Sequence, residues 1–338
     1  MSRRFKGLGI MLLVISMMLA ACSGGTTEEN ATAGTAGAPT EGAASTAEET
    51  ATESGTKVVK DQFGEVTIPT HPQNLVVFDS IYAEYLIEMG VTPQIVLLTP
   101  EVEAEYRPDY LKEHGVQIIE VEQYQYNYEQ LLALSPDMIL AAGEGMEQGV
   151  YDELSKIAPT VALDANSEMK RAMPKLAAIF DKTEESDKVL AEFDERASQA
   201  KEKIAAALGD NSVLVLRVEH NRYRFMGPKG GSSSVFFYDI LGLNSPEAIK
   251  DSTDWFSQFS LEFLPEMNPD YIFLEDRTLV GYDTKKSMED LKSSQVWSNL
   301  EAVKNDHVFP LKTSQFVSGV GPIGSVKLMD YVVEKLVP

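Results

Sequence analysis

The sequence predicts an α/β protein of two lobes with mostly parallel sheets, joined by one long connector helix. Three observations point there. Short apolar runs alternate with helical stretches in both halves of the chain, the pattern of strands buried on both faces. A nine-residue phrase is written twice, 133 residues apart: Glu129-Gln130-Leu131-Leu132-Ala133-Leu134-Ser135-Pro136-Asp137 and Glu262-Phe263-Leu264-Pro265-Glu266-Met267-Asn268-Pro269-Asp270. Both fit E-x-L-x-x-(L/M)-(S/N)-P-D and run into an apolar segment, Met138-Ile139-Leu140-Ala141 and Tyr271-Ile272-Phe273-Leu274. One unit repeated once at that distance is too sparse for a solenoid and suits two similar lobes. Finally, residues 183–208 lie between the copies, keep helical spacing and contain neither glycine nor proline.

The chain opens with Arg3, Arg4 and Lys6, followed at residues 9–21 by an apolar run too short to span a bilayer as an ordinary helix. The run ends in Leu19-Ala20-Ala21-Cys22, the pattern of a bacterial lipobox, and Cys22 is the single cysteine of the chain. Residues 1–21 therefore read as a lipoprotein signal peptide and Cys22 as the lipidation site. The plainer alternative is an ordinary signal peptide with an incidental cysteine after it. One cysteine leaves no internal disulfide, so the fold rests on its core. Residues 22–56 are Gly, Ser, Thr, Ala and Glu almost throughout, the composition of a disordered acidic tether. The expected location is extracytoplasmic, lipid-anchored to the outer face of the cytoplasmic membrane.

Acidic residues outnumber basic ones 52 to 29, a net charge of −23. The signal holds three of the basic residues and none of the acidic ones, so the processed chain sits near −26. Such a surface repels nucleic acid and anionic membranes; the lipid, not electrostatics, would hold the protein at a membrane.

Residues 57–182 read as the first lobe. Residues 57–69 form a hairpin with Phe63-Gly64 at its turn and Val66 and Ile68 in strand alternation. Leu75-Val76-Val77-Phe78 is a buried strand. Asp79 or Ser80 can cap the helix after it, where Ile81, Tyr85 and Met89 recur every four residues until Gly90. Further strands fall at 94–98, 116–119, 138–141 and 160–163, with helical stretches between. Over 183–208, Val189, Leu190, Phe193, Ala197, Ala200 and Ile204 recur at helical spacing, and such a helix is roughly 38 Å long. It reads as the connector, although a long surface helix of a single domain has the same pattern. Residues 209–338 read as the second lobe. Strands fall at 213–218 and 222–226, followed by the loop Gly227-Pro228-Lys229-Gly230-Gly231. A helix over 232–241 stops at Gly242, strands follow at 271–274 and 307–311, and a last helix runs over about 323–336.

Further stretches acquire meaning in order: Asp61-x-x-Gly64-x-Val66-Thr67-Ile68-Pro69, then Leu154-Ser155-Lys156-Ile157-Ala158-Pro159-Thr160-Val161, then the doubled glutamate phrase. Trp297-x-x-Leu300-x-Ala302-Val303-Lys304-x-x-x-Val308 and Gly321-Pro322-Ile323 close the series. Behind a lipobox and over residues 57–338, the chain resembles the substrate-binding lipoproteins of bacterial ABC importers for iron–siderophore complexes. The resemblance implies two α/β lobes with the ligand between them and no resident cofactor, the ferric siderophore being transported cargo. It also implies that Glu129 and Glu262, one on each lobe, meet arginines of the membrane permease. Carboxylates at helix N-termini are prepositioned for this, and arginine pairs them bidentately. The alternative is that each merely complements its helix dipole, worth about 0.3–1 kcal/mol.

A ferric siderophore presents negative charge or a shell of oxygens, which suits arginine forks and aromatic faces. In so acidic a chain the candidates are Arg107 in the first lobe and Arg217, Arg222, Arg224 and Arg277 in the second. Arg222 and Arg224 share a strand face by parity, while Arg217 points with the odd positions of its own strand. Arg277 matches a basic position of relatives that bind catecholate-type siderophores. Glu144 and Gly230-Gly231-Ser232 depart from those relatives, which leaves hydroxamate, citrate-based and mixed ligands open. Aromatic candidates are Tyr82, Tyr124, Tyr126, Tyr223, Trp255 and Phe316. Each arginine has a bland alternative as a surface residue paired with one of the many acids.

Rival readings are haem or cobalamin binding on the same fold and, in a different class, an extracellular lipoprotein enzyme. His71, His114, His220 and His307 are isolated in sequence, a poor pattern for direct metal capture. No G-x-S-x-G motif and no glycine-rich phosphate loop is present, so the chain reads as a binding protein rather than an enzyme. Asp137 and Asp270 follow proline symmetrically and read as turn formers.

Overall fold

A computed structural model describes residues 55–122, 125–165, 168–231, 233–277 and 283–338. The signal peptide, Cys22 and Tyr124 lie outside the described residues.

Strands β1 (Thr56–Lys60) and β2 (Glu65–Pro69) form an antiparallel hairpin. Its turn is held by Asp61, whose Oδ1 accepts from the backbone N–H groups of Phe63 and Gly64 at 2.8 and 2.9 Å. Asp61 Oδ2 accepts from Ala162 N at 3.0 Å and fastens the hairpin to the first main sheet. That sheet contains β3 (Leu75–Val77), β4 (Ile95–Leu98), β5 (Gln117–Glu120), β6 (Met138–Ala142) and β7 (Thr160–Leu163) in the order β5-β4-β3-β6-β7. All its pairs are parallel. β3, β4 and β7 are buried at every residue and β6 at all but its last, as strands covered on both faces must be.

The second sheet is mixed. β8 (Val213–Glu219), β9 (Arg222–Met226), β10 (Phe256–Phe259), β11 (Tyr271–Asp276) and β12 (Val308–Lys312) run in the order β10-β9-β8-β11-β12. β8, β11 and β12 are parallel, while β9 and β10 add antiparallel. β10 has no counterpart in the strand pattern read from sequence, because Phe256-Ser257-Gln258-Phe259 is short and its burial is partial.

One helix, Thr183–Leu208, joins the two sheets. Its buried Phe193, Ala197, Ala200, Ile204 and Leu208 belong to the same apolar core as residues from both sheets. The segment expected as a helix over 232–241 is wound wide instead: Val235–Ile240 is a π-helix, with Leu241 N bonded to Phe236 O at 3.0 Å. Phe236, Phe237 and Tyr238 are buried consecutively, which an ordinary one-sided surface helix does not allow.

The repeated phrase performs the same local task in each half. Ser135 and Asn268 adopt left-handed φ of 50° and 32°. The proline-preceded aspartate then turns back on the residues that lead into the first strand of its sheet. Asp137 accepts from Gln73 N at 2.5 Å and Asn74 N at 3.0 Å. Asp270 accepts from Ser212 N at 2.7 Å and Ser212 Oγ at 3.0 Å. Both aspartates are turn formers.

Candidate functional site

β8 is buried along its whole length, yet two of its residues, Arg217 and Glu219, are charged. Register explains the arrangement. Arg217 stands opposite Arg224 on β9 and Glu275 on β11, and Glu219 stands opposite Arg222. Directly opposed residues share a sheet face, so parity inside single strands, which set Arg217 apart from Arg222 and Arg224, gives way to cross-strand pairing. Arg277, just past β11, completes the group.

Four guanidinium groups therefore surround two buried carboxylates. Arg217 is 1% exposed, Glu219 2% and Glu275 0%. Arg217 Nε pairs with Glu275 Oε2, and Thr313 Oγ1 donates to Glu275 Oε1 at 2.6 Å. Arg222 Nε pairs with Glu219 Oε2. Glu219 Oε1 has Arg224 Nη1 at 3.5 Å, Arg277 Nε at 3.8 Å and Arg217 Nη1 at 3.9 Å. Aromatic rings floor the group: the Arg217 guanidinium lies 3.5 Å from the centroid of Phe256, 5.3 Å from Trp255 and 5.7 Å from Phe316.

The electrostatics are unsettled in a way that suits a binding site. Burial lowers the Arg217 pKa to about 10 despite Glu275 beside it. Burial likewise raises the Glu275 carboxyl above its usual range, against the pull of Arg217. In both partners desolvation outweighs mutual attraction, as it can for a buried pair. Moreover, Arg217 Nη2 and Arg277 Nη1 are buried and make no hydrogen bond among the described residues. Buried donors are ordinarily satisfied. Two that are not, on strands' C-terminal ends where α/β sheets bind ligands, are what an oxygen-rich anion needs.

The structure thus brings Arg217, Arg222, Arg224, Arg277, Trp255 and Phe316 together. It places four other candidates elsewhere. Arg107 is 0% exposed, with Nε on Glu84 at 2.9 Å, Nη1 on Glu103 and Nη2 3.1 Å from the Tyr106 hydroxyl. Burial opposes its charge, but Glu84 and Glu103 more than offset that and hold its pKa above the ordinary arginine value. All three nitrogens are engaged. Tyr82 is fully buried and donates to Ala165 O at 2.8 Å; Tyr126 packs on Phe78 with ring centroids 5.0 Å apart. Tyr223 lies on the far face of the second sheet, its hydroxyl bonded to Ser287 O at 2.8 Å.

Sequence reasoning missed the two carboxylates. A signal was available: Arg217-Val218-Glu219 and Glu275-Asp276-Arg277 each put opposite charges two residues apart in or beside apolar strands, hence on one face.

Beside the cluster lies a cavity of about 670 Å³ walled by Met169, the connector residues Phe193 and Ala197, Phe236 and Val317. It contains none of the arginines. Ser233 of its wall accepts a hydrogen bond from Trp255 Nε1 at 2.9 Å, so the two are neighbours through the ring on which Arg217 rests. Among the described residues no group of three or more His, Cys, Asp or Glu side chains is placed to hold a metal ion.

Glu129 and Glu262 are exposed, each in the first turn of a short helical segment. Asn127 caps the first, accepting from Gln130 N at 3.0 Å. The Glu262 carboxyl is lowered by its own backbone N–H and by Ser260. Leu132, one turn after Glu129, is 60% exposed.

Residues 75–314 match the family model described as periplasmic binding protein. The iron(3+)-hydroxamate-binding protein YxeB of Bacillus subtilis is 26% identical over 334 residues, covering 97% of this chain and 95% of that protein. The iron(3+)-hydroxamate-binding protein FhuD of the same organism is 29% identical over 290 residues, covering 82% and 85%. Among solved structures, Staphylococcus aureus SirA complexed with staphyloferrin B superposes with a TM-score of 0.68 at 27% identity, covering 83% of this chain and 98% of that one.

Proposed function

Because the chain belongs to the periplasmic binding protein family, we propose that it is the extracytoplasmic receptor of an ABC importer, capturing a ferric siderophore between its lobes and delivering it to the permease. It is a binding protein, as its family members are. The observation that supports this reading most is the arginine cluster: four guanidinium groups against two carboxylates, with two buried N–H groups unbonded among the described residues. Arg217, Arg222, Arg224 and Arg277 would engage the oxygen shell of the chelate, with Trp255 and Phe316 as its apolar faces. Charge-assisted bonds from arginine are strong in such a setting.

Trp255 lies in the cluster and Trp297 in the core on the opposite sheet face. Titration with ferric hydroxamates, catecholates and citrate-type chelates should therefore quench the Trp255 emission and leave that of Trp297. A protein that binds none of them, or that binds haem or a corrinoid better, would overturn the reading.

Glu129 and Glu262 are assigned to permease docking, and Cys22 to the lipid anchor that keeps the receptor at the membrane. Cys22→Ala should release the protein to the soluble extracellular fraction; an unchanged membrane-bound fraction would remove the anchor.

A further inference from the structure

Glu219 is held unlike an ordinary ion-pair partner. Its Oε2 has one close donor, Arg222 Nε. Its Oε1 has three guanidinium groups at 3.5, 3.8 and 3.9 Å, from Arg224, Arg277 and Arg217. Those separations exceed a formed N–H···O bond, which falls at about 2.7–3.2 Å. Three cations are thus gathered around one oxygen that satisfies none of them. Glu275, the other acid, is different: Thr313 and Arg217 Nε fix its two oxygens, so it belongs to the scaffold of the sheet.

We propose that Glu219 is the specificity-determining residue of the site: a resident anion that offsets the arginines and so moderates their preference for anionic chelates, keeping charge-neutral ones within the range of the site. The proposal rests on the siderophore reading above. With Glu219 present, the four arginines are offset by two carboxylates. A charge-neutral chelate is little affected by the charge of Glu219, while an anionic one is repelled by it as it approaches Arg224 and Arg277. Side-chain exposure matches this division: Arg222 and Arg224 are 41% and 29% exposed and Arg277 17%, against 2% for Glu219. Arg222, Arg277 and Arg224, the last held by Phe256 O through Nε and Nη2, face the open side of the group, and the carboxylate lies behind them.

The test compares two probes, ferric citrate and a charge-neutral ferric trihydroxamate, on the parent protein and on Glu219→Gln. The amide keeps the shape and removes the charge. The ratio of anionic to neutral affinity should rise by roughly five- to tenfold, the weight of one unit charge a few ångströms from the ligand in a water-facing site, and its salt dependence should steepen. Should Glu219→Gln fail to fold, Glu219→Asp decides. It keeps the charge but withdraws the carboxylate from the outer arginines, and it too should raise the ratio. A ratio unchanged or lowered in the folded variant rejects the role of Glu219 and leaves the siderophore reading intact. A parent that binds neither these nor any other ferric siderophore overturns that reading and the proposal with it.

Discussion

Glu84 of the first lobe caps the last helix of the chain: its Oε1 accepts from Ile323 N at 2.8 Å, across 239 residues of sequence. The helix Pro322–Leu336 begins there, and its N-terminus carries partial positive charge. The same carboxylate accepts from Tyr106 Oη at 2.6 Å and Arg107 Nε at 2.9 Å through Oε2. Gly321 and Gly324 make the approach possible, since a Cβ on the first would overlap the carboxylate and on the second the Tyr106 hydroxyl. The motif Gly321-Pro322-Ile323 is thus explained by what packs against it.

Glu84→Ala should therefore destabilise strongly, because it leaves Arg107 charged and buried and Ile323 N without a partner. Breaking a buried pair by removing one member costs about 3–5 kcal/mol. Denaturant melts measure it. A loss under about 1 kcal/mol, the size of a surface pair, would show that the contact does not hold the lobes.

Arg277→Ala should weaken binding of the best ferric chelate by roughly ten- to a hundredfold, the equivalent of about 1.5–3 kcal/mol for a charge-assisted bond. Fluorescence titration reads it directly. Affinity equal to that of the parent would take Arg277 out of the site.

Glu129→Ala with Glu262→Ala should abolish uptake by cells while ligand affinity in solution stays near that of the parent, because both acids are exposed and lie outside the arginine cluster. Each single variant should be impaired less than the double. If the acids only complement their helix dipoles, the outcome is a small loss of stability and normal transport. Normal uptake by a folded double variant would reject docking.

Glu275 should leave a signature in the pH dependence of stability. Burial raises its carboxyl in the folded protein, so the stability linked to its proton is fully present below the unfolded value of about 4.3 and is lost as pH rises through the folded value. Glu275→Gln has no such proton to lose. The stability of the variant minus that of the parent should increase between about pH 4 and pH 7, and a flat difference would show that Glu275 is not shifted.

Much of this architecture was legible in the chain. Period-two and continuous apolar runs located β3, β4, β6, β8 and β11, because burial on both faces demands apolar side chains wherever a strand lies. The helix over 183–208 was legible from Val189 to Ile204, since one face of a long helix must repeat. The doubled phrase foretold twin turns, but the partners of Asp137 and Asp270 are Gln73, Asn74 and Ser212, distant in the chain and set by packing rather than by spacing. Arg217, Arg222, Arg224 and Arg277 stood out as basic residues on strands or at a strand end in an acidic protein. Which of the candidates would meet was decided by the tertiary structure alone. Strand register puts Arg217 beside Arg224 and Glu275, and the C-terminal helix comes back to the first lobe to claim Glu84 and, through it, Arg107. Ion pairs form between residues far apart in the chain, and their partners are fixed by register and packing, neither of which is written in the spacing of a single strand.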